Sequence, residues 1–329
     1  MSTYILKKFV EMLVTLLLIC LIVFIMFELI PGNPARIMLG MQADQAQVEA
    51  LEEELGLGQP LAVKIYNYFK GLAKGDLGYS FRFSAPVKDL LLEALPNTLK
   101  LAGYAFALIF ALAVPLALLS AAKAGSRLDQ VIRFGVELGL TIPPFFMAII
   151  LMLLFRTSQI ALAAGNGTSN SDWARFFLPA LAIALSRTAM AMEFLRDGLV
   201  GQLRAAYVKT ALGKGASPSR ILFGHILRNG LLSFVTALGL VLAEVFSGSV
   251  IIEQVFLIPG LGRLLVTAVE ARDLSLTQAI ILLIGSTVVL VNFLVDLINQ
   301  YIDPRIRLET RPLLHFGLFK GGGLNAGHK

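Results

Sequence analysis

The sequence has little charge for its length. Only 15% of its 329 residues are charged, while 57% are hydrophobic. A soluble domain usually carries about 25% charged residues, so this chain has too little polar surface to cover a water-soluble core. The shortage of charge therefore predicts an integral membrane protein.

Cysteine and histidine are also scarce, with one cysteine, Cys20, and three histidines, His225, His315 and His328. A single cysteine excludes an intrachain disulfide and a cysteine metal cluster. The histidines lie far apart in sequence, and "SAAK" (Ser120–Lys123) matches Ser-x-x-Lys without its companion motifs. We therefore expect no metal site and no catalytic residues.

The phosphate-binding sequence Gly-x-x-x-x-Gly-Lys-Ser/Thr is absent, and "LGKGAS" (212–217) lacks its spacing. This chain is therefore not expected to bind ATP by that mechanism. The net charge is +6, but the basic residues lie between apolar segments. The positive-inside bias of membrane proteins explains them without a nucleic-acid partner.

Several long apolar runs predict an all-α, polytopic fold. A spanning helix needs roughly 17–25 residues, and six segments reach this length. They are Phe9–Ile30, Leu99–Ala121, Phe134–Phe155, Phe176–Met192, Leu231–Ile252 and Thr277–Tyr301. Pro143 and Pro144 should kink or break the third, as in a helix that lines a pathway.

Lysine and arginine concentrate at the N-terminus, in the second and fourth connections and in the C-terminal tail. This bias predicts that both termini are cytoplasmic. Residues 31–97 would then form an extracytoplasmic region with helices in "QADQAQVEALEEEL" and "PLAVKIYNYFKGLAKG". The predicted parts of the chain are residues 1–30, 31–97, a five-helix core at 98–304, and a partly disordered tail at 305–329.

Between the fourth and fifth spans lies "AAYVKTALGKGASPSRILFGHILRNG", a basic stretch that predicts a helical hairpin within residues 196–230. Gly215 allows a tight turn, while Ser217 and Pro218 suit the start of a second helix. Ile221, Leu222 and Leu227 can anchor one face, which leaves the basic face for a partner. From composition alone, the basic hairpin could equally rest on anionic lipid.

The basic hairpin resembles the coupling loop of bacterial ABC importer permeases, in the form found in the peptide and nickel branch. The matching positions are Tyr207, Val208, Thr210, Ala211, Lys214, Gly215, Ser217, Ile221, Leu222, His225, Leu227, Arg228 and Asn229. Other motifs of that branch stand in order along the chain. They are "PGNPA" (31–35), "LGLGQPL" (55–61), "GDLGYS" (75–80), "PGLGRL" (259–264), "RD" (272–273) and "DPRIR" (303–307). Ser233 and Leu274–Ser275 depart from it, where the branch usually has proline.

The resemblance implies a permease subunit of the bacterial inner membrane that forms half of a translocation pathway for small peptides or nickel, free or chelated. Its implied partners are a homologous second permease, an extracytoplasmic binding protein and two ATPase subunits that bind ATP and Mg²⁺. The ATPase would contact Tyr207, Lys209, Thr210, Ala211, Lys214, Gly215, Ser217, Arg220, His225 and Arg228. The alternative is an ATP-independent channel or secondary carrier, which predicts transport without any ATPase.

Charged residues inside the predicted spans mark a pathway or a contact between helices. Glu244 is the best pathway candidate, either meeting a cationic group on the substrate or making a hydrogen bond between helices. Arg187 and Glu193 could pair as a gate or brace, or reach separately for the interface. Asn292 and Asp296 lie four apart, and their shared face favours packing between helices.

Overall fold

The computed structural model describes residues 2–29, 34–39, 43–54, 58–155, 172–203, 205–221 and 226–302. These residues are almost entirely helical, which confirms the all-α polytopic prediction. Within these described ranges, five helices are long and apolar enough to cross a membrane, and a bent pair of helices makes a sixth candidate. The unbent candidates are Ile5–Glu28, Val87–Ala122, Asp172–Leu203, Ala237–Val255 and Leu274–Gln300.

The first long helix, α1 (Ser2–Glu28), leads to three short helices, α2 (Pro34–Leu39), α3 (Gln45–Glu54) and α4 (Leu61–Ala73). Helix α4 packs against the end of α1: Lys64 Nζ lies 2.7 Å from Glu28 Oε1, and the Phe24 and Tyr68 rings lie 5.1 Å apart. Burial in this contact raises the pKa of Tyr68 to about 12.

A two-residue antiparallel hairpin, β1 (Tyr79–Ser80) and β2 (Ala85–Pro86), precedes α5 (Val87–Ala122). Helix α5 starts twelve residues before the predicted span because its first turns pack on a second apolar cluster instead of crossing the membrane. Val87, Leu91 and Ala94 are buried in that cluster.

The third predicted span consists of α6 (Arg127–Thr141) and α7 (Pro144–Leu154), and the helix axis bends by 102° between them. Pro143 takes φ −57° and ψ 143°, an extended conformation in which the helix cannot continue. The prediction that Pro143 and Pro144 break this span is therefore confirmed.

Helix α8 (Asp172–Leu203) occupies the middle of the bundle and packs against α5, α6 and α7. In the most apolar 18-residue stretch of α8, 67% of the residues are buried, whereas in the corresponding stretch of α1 only 11% are buried. Small residues on its faces allow this close packing. The buried ones include Ala180, Ala182, Ala184, Ala189 and Ala191.

The remaining helices are α9 (Ala206–Gly213), α10 (Pro218–Ile221), α11 (Leu227–Val255), α12 (Leu261–Glu270) and α13 (Leu274–Ile302). Because successive spans alternate in direction, the start of α1, residues 123–126 and the basic hairpin share one end of the bundle, here called the hairpin end. Helices α2–α4, both strands and α12 share the opposite end, here called the far end. The main apolar core lies between them, around Phe176, Met192 and Phe234.

Candidate functional site

The basic hairpin turns at a glycine in the left-handed conformation, Gly215, with φ +78°. Its N–H donates to the carbonyl of Leu212 at 2.9 Å, and the Ala216 N–H donates to Ala211 at 3.1 Å. This pair of bonds is the Schellman motif that ends a helix, and glycine suits its left-handed position. The predicted tight turn at Gly215 is therefore confirmed.

The second arm of the hairpin begins at Pro218, as predicted, and the Ile221 N–H donates to the Ser217 carbonyl at 3.1 Å. Arg228 lies in the first turn of α11. Leu222 and His225, which the sequence placed in the same unit, lie outside the described residues.

One face of the hairpin is anchored in the core and the other is exposed. Val208 and Ile221 are 4% and 3% exposed and belong to the main apolar cluster. Of the predicted anchors, Ile221 is thus buried, and Leu227 is half-buried. The exposed residues include Lys209, Thr210, Leu212, Lys214 and Arg220.

The first arm is joined to the end of α8 by one polar contact and has a second within its own helix. The Tyr207 hydroxyl donates to Gln202 Oε1 at 2.9 Å, and Thr210 Oγ1 donates to the Ala206 carbonyl at 3.2 Å. The arm is therefore a short helix, anchored at its start, and the hairpin presents two exposed lysines, Lys209 and Lys214.

A buried ion pair lies close to the hairpin, between α5, α6 and α8. The Arg196 guanidinium donates to Asp129 through Nη2 at 2.8 Å and Nε at 3.0 Å. Ser120 Oγ and the Gly125 N–H also donate to this carboxylate, whose residue is 3% exposed. Sequence reasoning missed the pair and counted Arg196 only as a cytoplasmic cation. The usable signal was Ser126-x-x-Asp129, a capping pattern that places Asp129 in the first turn of a helix.

A second buried carboxylate, Glu253 at 0% exposure, organises the far end. It accepts hydrogen bonds from the Gly262 N–H at 2.7 Å and from Thr98 Oγ1 at 2.7 Å. A Cβ on Gly260 would lie 2.5 Å from the Glu253 carboxyl group, and one on Gly262 would lie 2.3 Å from Val250 Cα. The "PGLGRL" motif therefore needs its glycines because α12 closes tightly over this carboxylate, which the sequence did not single out.

Asp273 joins two motifs that lie almost two hundred residues apart. Its carboxylate accepts from Ser80 Oγ at 2.5 Å and from the Arg82 N–H at 3.3 Å, and it caps α13 by accepting from the Leu276 N–H at 3.1 Å. The "GDLGYS" and "RD" motifs thus form one contact, which fixes the β1–β2 hairpin on the start of α13.

The pathway candidate Glu244 lies opposite Arg187, with Oε2 2.6 Å from Arg187 Nη1. This close contact lacks hydrogen-bond alignment, and Arg187 Nε has no hydrogen-bond partner among the described residues. The side chains are 40% and 23% exposed. The suggested pairing of Arg187 with Glu193 is wrong, because residues six apart on a helix do not face each other.

The predicted helix contact at Asp296 is confirmed. Its Oδ2 lies 3.0 Å from Lys8 Nζ on α1, and Lys8 also lies 3.1 Å from Glu11. In the described part of the chain, the predicted site residues thus form two groups that lie apart from each other. The basic hairpin is at one end of the bundle, and Glu244 is near the middle of a span.

This architecture is that of a multi-pass membrane permease, and comparison with known proteins identifies the family. The sequence model of one protein family, the binding-protein-dependent transport system inner membrane component, matches residues 113–308. The family model of the N-terminal part of such components matches residues 1–102. The glutathione transport system permease protein GsiC of Pectobacterium atrosepticum is 34% identical over 311 residues, covering 94% of this chain and 100% of that protein.

GsiC of Salmonella typhimurium is 33% identical over 314 residues, covering 94% of this chain and all of that protein. A Sinorhizobium fredii protein named "Probable peptide ABC transporter permease protein" is 32% identical over 312 residues, covering 93% of this chain and all of that protein. The chain therefore belongs to the family of binding-protein-dependent transport system inner membrane components. This confirms the resemblance to an ABC importer permease, a multi-pass inner-membrane subunit that is not itself an enzyme.

Proposed function

We propose that this permease forms half of the translocation pathway of an ABC importer for small peptides. A homologous second permease forms the other half, two ATPases supply the driving force, and a binding protein delivers the substrate. The observation that carries the proposal is the anchored helical hairpin, which buries Val208 and Ile221 and exposes Lys209, Lys214 and Arg220.

In this proposal the ATPase contacts the ten positions predicted from the sequence, and ATP and Mg²⁺ bind only to the ATPase. Seven of these positions are exposed in the described residues: Tyr207, Lys209, Thr210, Lys214, Gly215, Ser217 and Arg220. The hairpin connects α8 directly to α11, and Gly230 in α11 packs closely on Leu199 in α8. A push on the hairpin would therefore move two central helices together, which is what coupling requires.

The hairpin end faces the cytoplasm in this proposal, together with both termini. Residues 31–97, including α2–α4 and the strands, then lie outside, where the binding protein docks. The distribution of cations supports this orientation: Lys7, Lys8, Lys123 and Arg133 lie at the hairpin end, and basic residues there are retained on the cytoplasmic side.

Two observations favour peptides over nickel as the cargo. The relatives described above are named for peptide or glutathione transport. In addition, Glu244 is already in contact with the Arg187 guanidinium, so a bare divalent cation would meet a positive charge beside its carboxylate ligand.

The proposal is tested by co-purification of an ATPase with the tagged chain from native membranes, comparing wild type with Gly215→Arg. The matched control is Gly75→Arg. Both glycines have left-handed φ values, +78° and +75°, and a Cβ added at either would meet no atom within 4 Å among the described residues, but Gly75 lies at the far end. We expect Gly215→Arg to lose the ATPase and Gly75→Arg to keep it.

Three other results would contradict the proposal. The ATPase could be absent from all preparations, or Gly215→Arg could retain it. Purified chain in liposomes could also take up substrate without any ATPase, which would favour the channel or secondary-carrier alternative.

A further inference from the structure

Arg187 and Glu244 lie near the midpoints of the two central helices, α8 and α11. Glu244 is part of a partly exposed stripe on α11, whereas Arg187 lies beside the buried residues Ile183, Ala184 and Ala191 of α8. On α11 the exposed residues beside Glu244 are Leu240, Ser247 and Ile251, and on α8 Phe194 is exposed two turns from Arg187. The pair therefore lies at the edge of the core, with Arg187 Nε and Glu244 Oε2 buried and the two side chains only partly exposed.

A charge at this depth is costly, by about 2.5–3.5 kcal/mol on insertion scales, so the pair needs a reason to be there. The chain itself shows what a structural pair looks like. Asp129 and Arg196 are joined by two hydrogen bonds, and each also makes a hydrogen bond with Ser120 Oγ. Their side chains are only 4% and 12% exposed. Arg187 and Glu244, in contrast, make one misaligned contact, and the buried Arg187 Nε has no acceptor among the described residues. Their side chains are 23% and 40% exposed.

A break in a neighbouring span lies against α8 at the same level as Arg187, on the side of Leu185 and Ser186. Ser186 Oγ donates to the Ile142 carbonyl at 3.2 Å, where α6 ends. Gly139 approaches α8 so closely that a Cβ would lie 2.7 Å from the Leu185 carbonyl oxygen. Interrupted helices are tolerated at this depth where they are buried in protein or line a water-filled cavity, and transporters bind substrates at such breaks.

We propose that Arg187 and Glu244 form a recognition site for a solute that carries both an ammonium and a carboxylate group, such as the two ends of a short peptide. The proposal rests on the peptide-import function given above. The solute carboxylate replaces Glu244 at the guanidinium, and the solute ammonium pairs with Glu244. One weakly aligned ion pair is thereby exchanged for two.

This exchange also gives selectivity. A solute with only one charge would separate the pair and leave either Arg187 or Glu244 without a counter-charge in a low-dielectric site, which is strongly unfavourable. Recognition of the two ends does not involve the peptide side chains. The site therefore suits a passage that accepts peptides of varied sequence.

The first test measures uptake of alanyl-alanine by the complete importer in proteoliposomes, with the single variants Arg187→Gln and Glu244→Gln and the double variant. Each single variant leaves one unpaired charge, so both stability and uptake should fall. The double variant removes both charges. We expect its melting temperature to return close to that of wild type, while its uptake stays about tenfold lower, the effect of losing a charge-assisted hydrogen bond.

The outcomes separate the two proposals. If the wild-type importer does not take up alanyl-alanine, the peptide function fails and the recognition site fails with it. If the wild type transports and the double variant transports equally well, the pair is only a brace between α8 and α11, and the recognition site alone is overturned.

A second test does not require transport by the variant. Cys20 is the only cysteine of the chain, so Glu244→Cys in a Cys20→Ser background gives a single reactive thiol. With ATP present, the anionic reagent 2-sulfonatoethyl methanethiosulfonate should label it. Alanyl-alanine at about ten times its Kd for this variant, held through its carboxylate at Arg187, should slow labelling about tenfold. N-acetylalanine amide, which is uncharged and of similar size, should not protect the thiol.

The matched control for this labelling adds Arg187→Gln. If the guanidinium attracts the anionic reagent, its removal should slow labelling about fivefold, as expected for one close charge near a wet surface. A thiol that is not labelled, or one that alanyl-alanine does not protect, would overturn the recognition site.

Discussion

At the scale of single residues, buried carboxylates determine how the helices meet. Asp129, Glu253 and Asp273 are 3%, 0% and 0% exposed, and each accepts hydrogen bonds from at least two chain segments. Buried charges persist only where they are paired or fully hydrogen-bonded. These three residues therefore act as connectors between helices, whereas most other charges in the described parts of the chain are exposed.

The first prediction concerns the Asp129–Arg196 pair. Arg196→Gln should lower stability by about 3–5 kcal/mol, because it leaves a buried carboxylate without its counter-ion. Adding Asp129→Asn should recover much of that loss. Thermal unfolding of the purified protein in detergent measures both effects, and Arg133→Gln is the control because the Arg133–Glu137 pair is about half-exposed, with 3.7 Å between its charged atoms. Equal losses for Arg196→Gln and Arg133→Gln would contradict this prediction.

The second prediction concerns the close approach of α12 to α11. A methyl group on Gly262 would lie 2.3 Å from the backbone Cα of Val250, so Gly262→Ala must displace one helix. We expect a loss of about 1–3 kcal/mol, the usual cost of overpacking. Gly103→Ala is the control, since a Cβ there meets no atom within 4 Å and alanine is the better helix former. A Gly262→Ala protein as stable as wild type would rule out the tight contact.

The residue scale also shows the limit of sequence reasoning. The turn at Gly215 and the break at Pro143 could be predicted because glycine and proline restrict the local backbone. The partners of Asp129, Glu253 and Glu244 could not, because each contact joins residues from different helices. The sequence identified "PGLGRL" as a motif without indicating that Glu253 lies beneath it.

At the scale of elements, the spans were predicted best where apolar residues run without interruption. The predicted span Phe176–Met192, which Ser186, Arg187 and Thr188 interrupt, is the central helix α8, which extends over Asp172–Leu203. Its apolarity is low because it packs against other helices instead of lipid. Small and polar residues such as Ser186 therefore replace the bulky apolar residues of a lipid-facing span.

The third prediction concerns the contact between the β1–β2 hairpin and α13. Asp273→Ala removes the acceptor for Ser80 Oγ and for the Arg82 and Leu276 N–H groups. We expect faster hydrogen exchange at residues 79–86, measured by mass spectrometry, while exchange at α8 is unchanged. Asp89→Ala is the control, because Asp89 is exposed in the first turn of α5. Unchanged exchange at residues 79–86 would show that Asp273 does not hold this hairpin.

At the scale of the whole molecule, the polar connectors lie towards the two ends of the bundle. Asp129 and Arg196 join helices at the hairpin end, and Glu253 and Asp273 join them at the far end. The Arg187–Glu244 contact near the middle is single and poorly aligned. Substrate sites of transporters lie near the bilayer midplane, so the poorly aligned contact is at the depth where the proposed solute site is expected.

The last prediction tests the orientation of the whole chain, which depends on the cation distribution. In a Cys20→Ser background, Lys214→Cys places a thiol on the exposed hairpin and Lys74→Cys places one at the far end, where Lys74 is also exposed. If the hairpin end is cytoplasmic, a membrane-impermeant maleimide should label Lys74→Cys in intact spheroplasts and Lys214→Cys only in inverted vesicles. The reverse pattern would place the hairpin on the side without ATP, and an importer coupled through it would then be impossible.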